Sequence, residues 1–238
     1  MKDKIELTQT GIKGFDKLIG GGFPSGSVIL LSGTPATGKT IFALNYLVNG
    51  AEQFNENGLY VTFEEKAESL KAQAIQFGWD LKKMEEEKKL KIIQIHASEI
   101  TKNVVNEIIE IAKERNVKRL VIDSLSTLSI NIPTTYSNVN EMNEYTIKRF
   151  IYAFVDELKN HLKNVTALMV SQTVKDSDLS RDNISEFICD GIIHIAFESM
   201  GGEFSRSLVV RKMRQRKNDD DIHPMEISEK GIVVHSLK

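Results

Sequence analysis

Cysteine is almost missing from this sequence. Cys189 stands alone among 238 residues, so no internal disulfide can form, and a reducing compartment suits the chain. Proline is scarce as well, and none of the four lies in a Pro/Gly/Ser-rich stretch that would separate domains. No apolar run approaches the roughly 20 residues needed to span a bilayer. The opening residues, MKDKIELTQTG, lack the apolar centre of a signal peptide. The chain is therefore expected in the cytoplasm, away from membranes. Charge of one sign is also lacking: 31 Lys and Arg face 33 Asp and Glu, so the net balance draws the chain neither to nucleic acid nor to an anionic surface. No internal repeat or low-complexity segment occurs. What is present, 41% apolar and 27% charged residues, is ordinary for a globular protein, and the length suits one α/β domain with a large core.

Short β-rich runs alternate with longer helical ones. Strands are expected at 28–32, 59–63, 90–95, 120–122 and 167–171, and helices at 41–54, 67–77, 104–115 and 141–162. Such alternation implies a mostly parallel central sheet flanked by helices. Beyond Cys189 the pattern changes to short strands at 191–197, 205–213, 224–228 and 232–235, which reads as an antiparallel C-terminal extension at one sheet edge. Two polar stretches, 124–140 and 174–185, read as loops. Each follows a strand at its carboxyl end, where open α/β sheets place ligands.

Between the first strand and the first helix lies Gly33-Thr34-Pro35-Ala36-Thr37-Gly38-Lys39-Thr40, which fits G-x-x-x-x-G-K-[ST]. Glycines let successive backbone N–H groups turn inward on an anion. The helix that opens here, with Ile41 in its first turn, favours negative charge at its N-terminus. Lys39 is placed for the β- and γ-phosphates, and the Thr40 hydroxyl for Mg²⁺. The expected ligand is ATP with Mg²⁺.

Such a loop needs partners. The buried run 119–123 ends in Asp123, an acid suited to the Mg²⁺ shell. The strand at 59–63 ends in Glu64-Glu65, beside the phosphate loop in this reading, where a carboxylate polarises the attacking water. An acidic pair opening a helix would also suit the dipole without any catalysis. Gln172, at the end of the fifth strand, is either a sensor of the γ-phosphate or an ordinary strand-end amide. The basic stretch 211–217 either guards a strand edge or serves a phosphate on a neighbouring subunit. Lys212 and Arg214 alternate along an expected edge strand, so both point to one face.

Together these residues resemble the KaiC branch of the RecA-like ATPases over nearly the whole chain. The likeness runs from Thr10-Gly11-Ile12, Phe15-Asp16 and Gly20-Gly21-Gly22 through Val61-Thr62-Phe63-Glu64-Glu65 and Phe77-Gly78-Trp79-Asp80-Leu81. It continues through Asp123-Ser124, Glu186-Phe187, Asp190, Gly202-Glu203 and Lys212-Met213-Arg214. The resemblance implies a RecA-like P-loop core in a single domain: residues 1–27 lead in, 28–190 form the core, and 191–238 the antiparallel strands. It implies a homo-oligomeric ring, a hexamer, with ATP between subunits. Ser124 would belong to the nucleotide site. Glu64 and Glu65 would be the catalytic carboxylates, and Lys212 and Arg214, assisted by Arg181, would reach the γ-phosphate of the adjacent protomer. Clock KaiC proteins carry two such domains, and a Ser-Thr pair is autophosphorylated in the second. Here Glu186 and Phe187 occupy those positions and cannot accept phosphate, which argues against autokinase activity.

Three functions compete. The first is an oligomeric ATPase of slow turnover that drives a switch. The second resembles single-domain RadA paralogues and binds single-stranded DNA through 124–140 and 174–185. Its loops offer Tyr136, Lys175 and Arg181 beside Asp176, Asp178 and Asp182, a poor match to a basic, aromatic groove, so weak binding is expected. The third, a nucleotide-gated scaffold without hydrolysis, has no need of Glu64-Glu65.

Overall fold

The computed structural model describes residues 5–133, 144–197 and 205–236. A two-residue strand β1 (Leu7–Thr8) pairs antiparallel with β2 (Phe23–Pro24), and a short helix α1 (Phe15–Leu18) lies between them. Then follow β3 (Val28–Gly33), α2 (Lys39–Gln53), β4 (Gly58–Thr62), α3 (Ala67–Ile75), α4 (Leu81–Glu86), β5 (Leu90–Gln94), α5 (Val104–Glu114) and β6 (Arg119–Asp123). The chain continues through α6 (Leu125–Ile130), α7 (Glu144–His161), β7 (Thr166–Gln172), α8 (Ser185–Ile188), β8 (Gly191–Phe197), β9 (Arg206–Met213), β10 (His223–Ser228) and β11 (Gly231–Val234).

The nine strands β3 to β11 form one sheet in the order β11-β10-β9-β8-β3-β7-β6-β4-β5. Strands β8, β3, β7, β6, β4 and β5 run parallel. Strands β9, β10 and β11 add antiparallel pairs at one side. The α/β architecture expected from the alternation is therefore present, with one boundary moved: β8 joins the parallel part beside β3, and the antiparallel extension begins at β9. Strand β3 is buried at every position because neighbours cover both of its faces. One face of the sheet packs Leu31, Phe42, Tyr46, Leu47 and Val121. The other packs Leu30, Ile108, Ile122, Ile151 and Phe154.

One expectation fails in an instructive way, and one buried residue needs a particular account. Residues 125–130, read as loop, form α6. Its serines are buried and bonded within the protein: Ser129 Oγ donates to Ser126 O at 2.7 Å, and Ser126 Oγ accepts from Gln172 N at 2.8 Å. The remainder of that stretch, 134–140 with Tyr136, lies outside the described residues, as do 141–143 of the expected helix and Gly202-Glu203. Arg119, which begins β6, is 0% exposed despite its charge. Its Nε donates to Glu56 Oε2 at 2.6 Å, Nη1 to Tyr46 O at 2.8 Å and Nη2 to Gln9 O at 2.7 Å. The guanidinium also lies over the rings of Tyr46 and Phe54. It fits because α2 carries Gly50 there, where a Cβ would come within 2.4 Å of Arg119 Cδ and Nε.

Candidate phosphate and active site

The parallel strands deliver the candidate residues in a row along their carboxyl ends. Gly33 pairs with Gln172, Val170 with Asp123, and Asp123 with Thr62, two residues before Glu64. Strand β4 is not beside β3, as the sequence reading has it: β7 and β6 lie between them. Glu64 reaches the phosphate side across the row instead. A cavity of about 320 Å³ is lined by Pro35, Gly38, Lys39, Thr40, Ile41, Glu64, Glu65, Asp123 and Gln172, among others.

The loop from Gly33 to Thr40 turns tightly into α2. Gly33 has φ 152, and a Cβ there would stand 2.2 Å from the Ile195 carbonyl oxygen, so only glycine fits. Gly38 caps α2 at φ 104, and Ala36 between them also takes a positive φ of 65. Thr37 Oγ1 donates to Thr34 O at 3.0 Å, closing the loop on itself. Thr34 Oγ1 donates to Asp176 Oδ1 at 2.9 Å, tying the loop to the segment after β7. Lys39 is buried, and its Nζ donates to Thr34 O at 2.7 Å. Burial lowers its pKa to about 8, against the opposing pull of Asp123 and Glu64.

Thr40 and Asp123 face one another, with Thr40 Oγ1 donating to Asp123 Oδ2 at 3.1 Å. Tyr60 OH donates to the same oxygen at 2.5 Å. Burial raises Asp123 to about 6, although the Tyr60 and Thr40 hydroxyls favour its ionised form. A hydroxyl and a carboxylate are hard oxygen donors that suit Mg²⁺, which is commonly held by one or two such groups together with a substrate's phosphates. The residues present therefore fit the ion.

Glu64 is held by three donors. Ser124 Oγ, at 2.5 Å, and Thr127 Oγ1 both donate to Oε1, while Gln172 Nε2 donates to Oε2 at 2.7 Å. A carboxylate has about four acceptor sites, so one remains, on Oε2. Ser124 earns its geometry as the cap of α6, where its Oγ accepts from Thr127 N at 3.3 Å. Glu65 stands apart: its Oε2 accepts from Gln73 Nε2 of α3 at 2.9 Å.

The late cations lie elsewhere. Lys212 pairs with Ile192 near the start of β8, whose Gly191 pairs with Ile29 near the start of β3. That is the end of the sheet opposite Gly33. Lys212 Nζ donates to the carbonyls of Glu186 at 2.9 Å and Cys189 at 2.7 Å. Arg214 Nη2 donates to Phe187 O at 3.0 Å. Both side chains reach the Phe187 carbonyl, but Arg214 lies one residue past β9, and β9 is not an edge strand: β8 and β10 flank it, the latter pairing along Arg206–Leu208. Arg181 is exposed in the segment after β7 and does not line the cavity.

Sequence reasoning passed over Tyr60, Thr127 and Arg206. Arg206 lines the cavity, with its guanidinium over Phe197 at 5.0 Å and a buried Nε that has no hydrogen-bond partner among the described residues. Thr127 had a local signal, three residues after a helix-capping serine. Arg206 had none, since only the pairing of β8 with β9 brings it to the loop.

Known proteins place this arrangement. A UPF0273 protein of Pyrococcus furiosus is 32% identical over 253 aligned positions, covering 98% of this chain and 96% of that one. A UPF0273 protein of Methanocaldococcus jannaschii is 34% identical, with 98% of each covered. The circadian clock oscillator protein KaiC of Prochlorococcus marinus is 29% identical, but the match spans 46% of that longer protein. The crystal structure of a KaiC-like protein from Pyrococcus horikoshii superposes with a TM-score of 0.85 at 34% identity, covering 98% of this chain and all of that one. The model of the KaiC ATPase family matches residues 8–238. The chain belongs to the KaiC ATPase family.

Proposed function

We propose that this protein is a Mg²⁺-dependent ATPase that turns over slowly as a cytoplasmic homohexameric ring and uses hydrolysis to drive a regulatory switch. Residues 1–238 would act as one ATPase domain. The observation that carries the reading is Glu64, fixed by Ser124, Thr127 and Gln172 in the same cavity as Lys39, Thr40 and Asp123. A scaffold that only binds ATP has no use for a carboxylate so held.

In this reading the backbone N–H groups of residues 33–40 and the Lys39 ammonium bind the phosphates. Thr40 and Asp123 would hold Mg²⁺, which neutralises phosphate charge. Glu64, through the remaining site on Oε2, orients a water and takes its proton. The water oxygen bonds to the γ-phosphorus, the bond from that phosphorus to the bridging oxygen breaks, and ADP leaves with the electron pair. Gln172 links the state of Glu64 to the segment after β7. Arg206 offers its guanidinium to the nucleotide from the same chain. Glu186 and Phe187 cannot accept phosphate, which speaks against autokinase activity.

Lys212 and Arg214 are remote from their own loop, so a phosphate they serve would belong to a neighbour, with Arg181 assisting. A mixing experiment tests this. The Lys212→Ala, Arg214→Ala variant and the Glu64→Gln, Glu65→Gln variant should each be nearly inactive. Mixed, they should recover part of the activity wherever an intact half meets an intact half. No recovery in assemblies shown to contain both variants overturns the shared site. Lys39→Ala should abolish ATP binding in calorimetry while the protein stays folded.

A further inference from the structure

Tyr60 is a buried phenol that the hydrolytic scheme leaves without a task. It sits mid-strand in β4 and is 0% exposed. Along β4, Tyr60 and Thr62 share one face of the sheet, and across the ladder Thr62 pairs with Asp123. The phenol ring therefore runs up the strand from below and delivers its hydroxyl to Asp123 Oδ2 at 2.5 Å. That oxygen also receives Thr40 Oγ1 at 3.1 Å. Both acceptor sites of Oδ2 are then filled, while no hydrogen bond from the described residues reaches Oδ1.

A phenylalanine would fill the same space without the cost of burying a hydroxyl. The hydroxyl is satisfied, and its partner is the carboxylate beside the threonine that opens the phosphate helix. The terminal torsion of an aspartate is broad, so an unclamped carboxylate would sample several orientations. We propose that Tyr60 is a positioning residue for the divalent cation that accompanies the nucleotide: it clamps Asp123 Oδ2 and leaves Oδ1, together with the Thr40 hydroxyl, presented to the ion. This rests on the reading of Thr40 and Asp123 as the cation-holding pair. The cation-independent part of nucleotide binding belongs to Lys39 and the loop N–H groups, which Tyr60 does not touch.

The test is calorimetric titration of ADP, which is not hydrolysed, into the full-length protein over a series of Mg²⁺ concentrations and in EDTA. Tyr60→Phe keeps the ring and removes one oxygen. The Mg²⁺ concentration giving half of the affinity gain should rise about 10-fold, the scale of one hydrogen bond to a charged group. ADP affinity in EDTA should stay within about 2-fold of the parent, well under that scale. If Tyr60→Phe does not fold, Tyr60→Met, which fills the space without a donor, takes its place. An unchanged Mg²⁺ dependence would overturn the inference and leave Tyr60 as filler. An equal loss with and without Mg²⁺ would overturn it too, because the hydroxyl would then support the site in general. A parent protein whose ADP affinity ignores Mg²⁺ would bring down the cation reading of Thr40 and Asp123 itself, and this inference with it.

Discussion

Replacing Glu64 with glutamine exchanges one oxygen for one amide nitrogen at constant length, and the neighbours decide how the new side chain sits. With Gln172 Nε2 donating as it does now, the amide oxygen takes the position of Oε2, 2.7 Å away. The new NH₂ then meets Ser124 and Thr127, whose hydroxyls accept as readily as they donate. The side chain keeps its place, and stability should change by about 1 kcal/mol or less. What is lost is the basic oxygen. A positioned general base contributes about 10²- to 10⁴-fold. At 1.36 kcal/mol per decade, this corresponds to about 2.7 to 5.4 kcal/mol of barrier. Phosphate release under saturating ATP should therefore slow by at least about 100-fold, while calorimetry on the same sample finds ATP affinity nearly unchanged. Glu65→Gln offers the contrast. Its carboxylate answers to Gln73 on α3, so the loss should stay below about tenfold, short of a base's contribution. A Glu64→Gln variant that binds ATP and turns over within about tenfold of the parent would refute the reasoning and move the base elsewhere.

Arg119→Ala removes a buried cation from Glu56 and takes a charged donor away from the carbonyls of Tyr46 and Gln9. Denaturation should find about 4 kcal/mol lost, or about 8 to 16 °C in melting temperature for a chain this long. A loss under about 1.5 kcal/mol would contradict that accounting. Asp123 gives a pH dependence. Its folded pKa of about 6 lies above the ordinary 3.8, so its contribution to the stability of the ligand-free fold is full below 3.8 and lost as pH rises through about 6. Cation binding runs the other way, because it needs the carboxylate: the Mg²⁺-dependent gain in ADP affinity should shrink as pH falls through about 6, and a flat profile there would refute the assignment. Gly33→Ala forces a Cβ to 2.2 Å from the Ile195 carbonyl, so ADP affinity should collapse; binding within a few-fold of the parent would show that the loop does not need that approach.

The phosphate loop was readable because its chemistry is contiguous: backbone N–H groups, lysine and threonine lie within eight successive positions, bracketed by a strand and a helix. Asp123 was readable as the polar end of an apolar run. Helix α6 was not, because Ser124, Ser126 and Ser129 carry a polarity that normally signals solvent. Here it is answered by Thr127 N, Gln172 and the helix's own carbonyls. The burial of the run that begins at Arg119 was readable, but the partners that make a buried cation there tolerable, Glu56, Tyr46 and Gln9, were not, because they converge on it from distant parts of the chain. The remoteness of Lys212 and Arg214 from their own loop follows from the register of β8 against β3 and β9, and spacing along one strand carries no register.

Gly50 and Arg119 bear on how this sequence can drift. Alanine at position 50 would be the better helix former by about 1 kcal/mol, yet its Cβ would stand 2.4 Å from the arginine side chain. Shrinking the arginine first would make room, but would remove the charged donor that Glu56 and the carbonyls of Tyr46 and Gln9 now share. Either substitution alone leads downhill in stability, and only the two together, with Glu56 neutralised, open a level path. Helix and strand thus behave here as a single heritable character: a lineage that keeps the arginine keeps the glycine, and one that loses either must replace the whole arrangement at once.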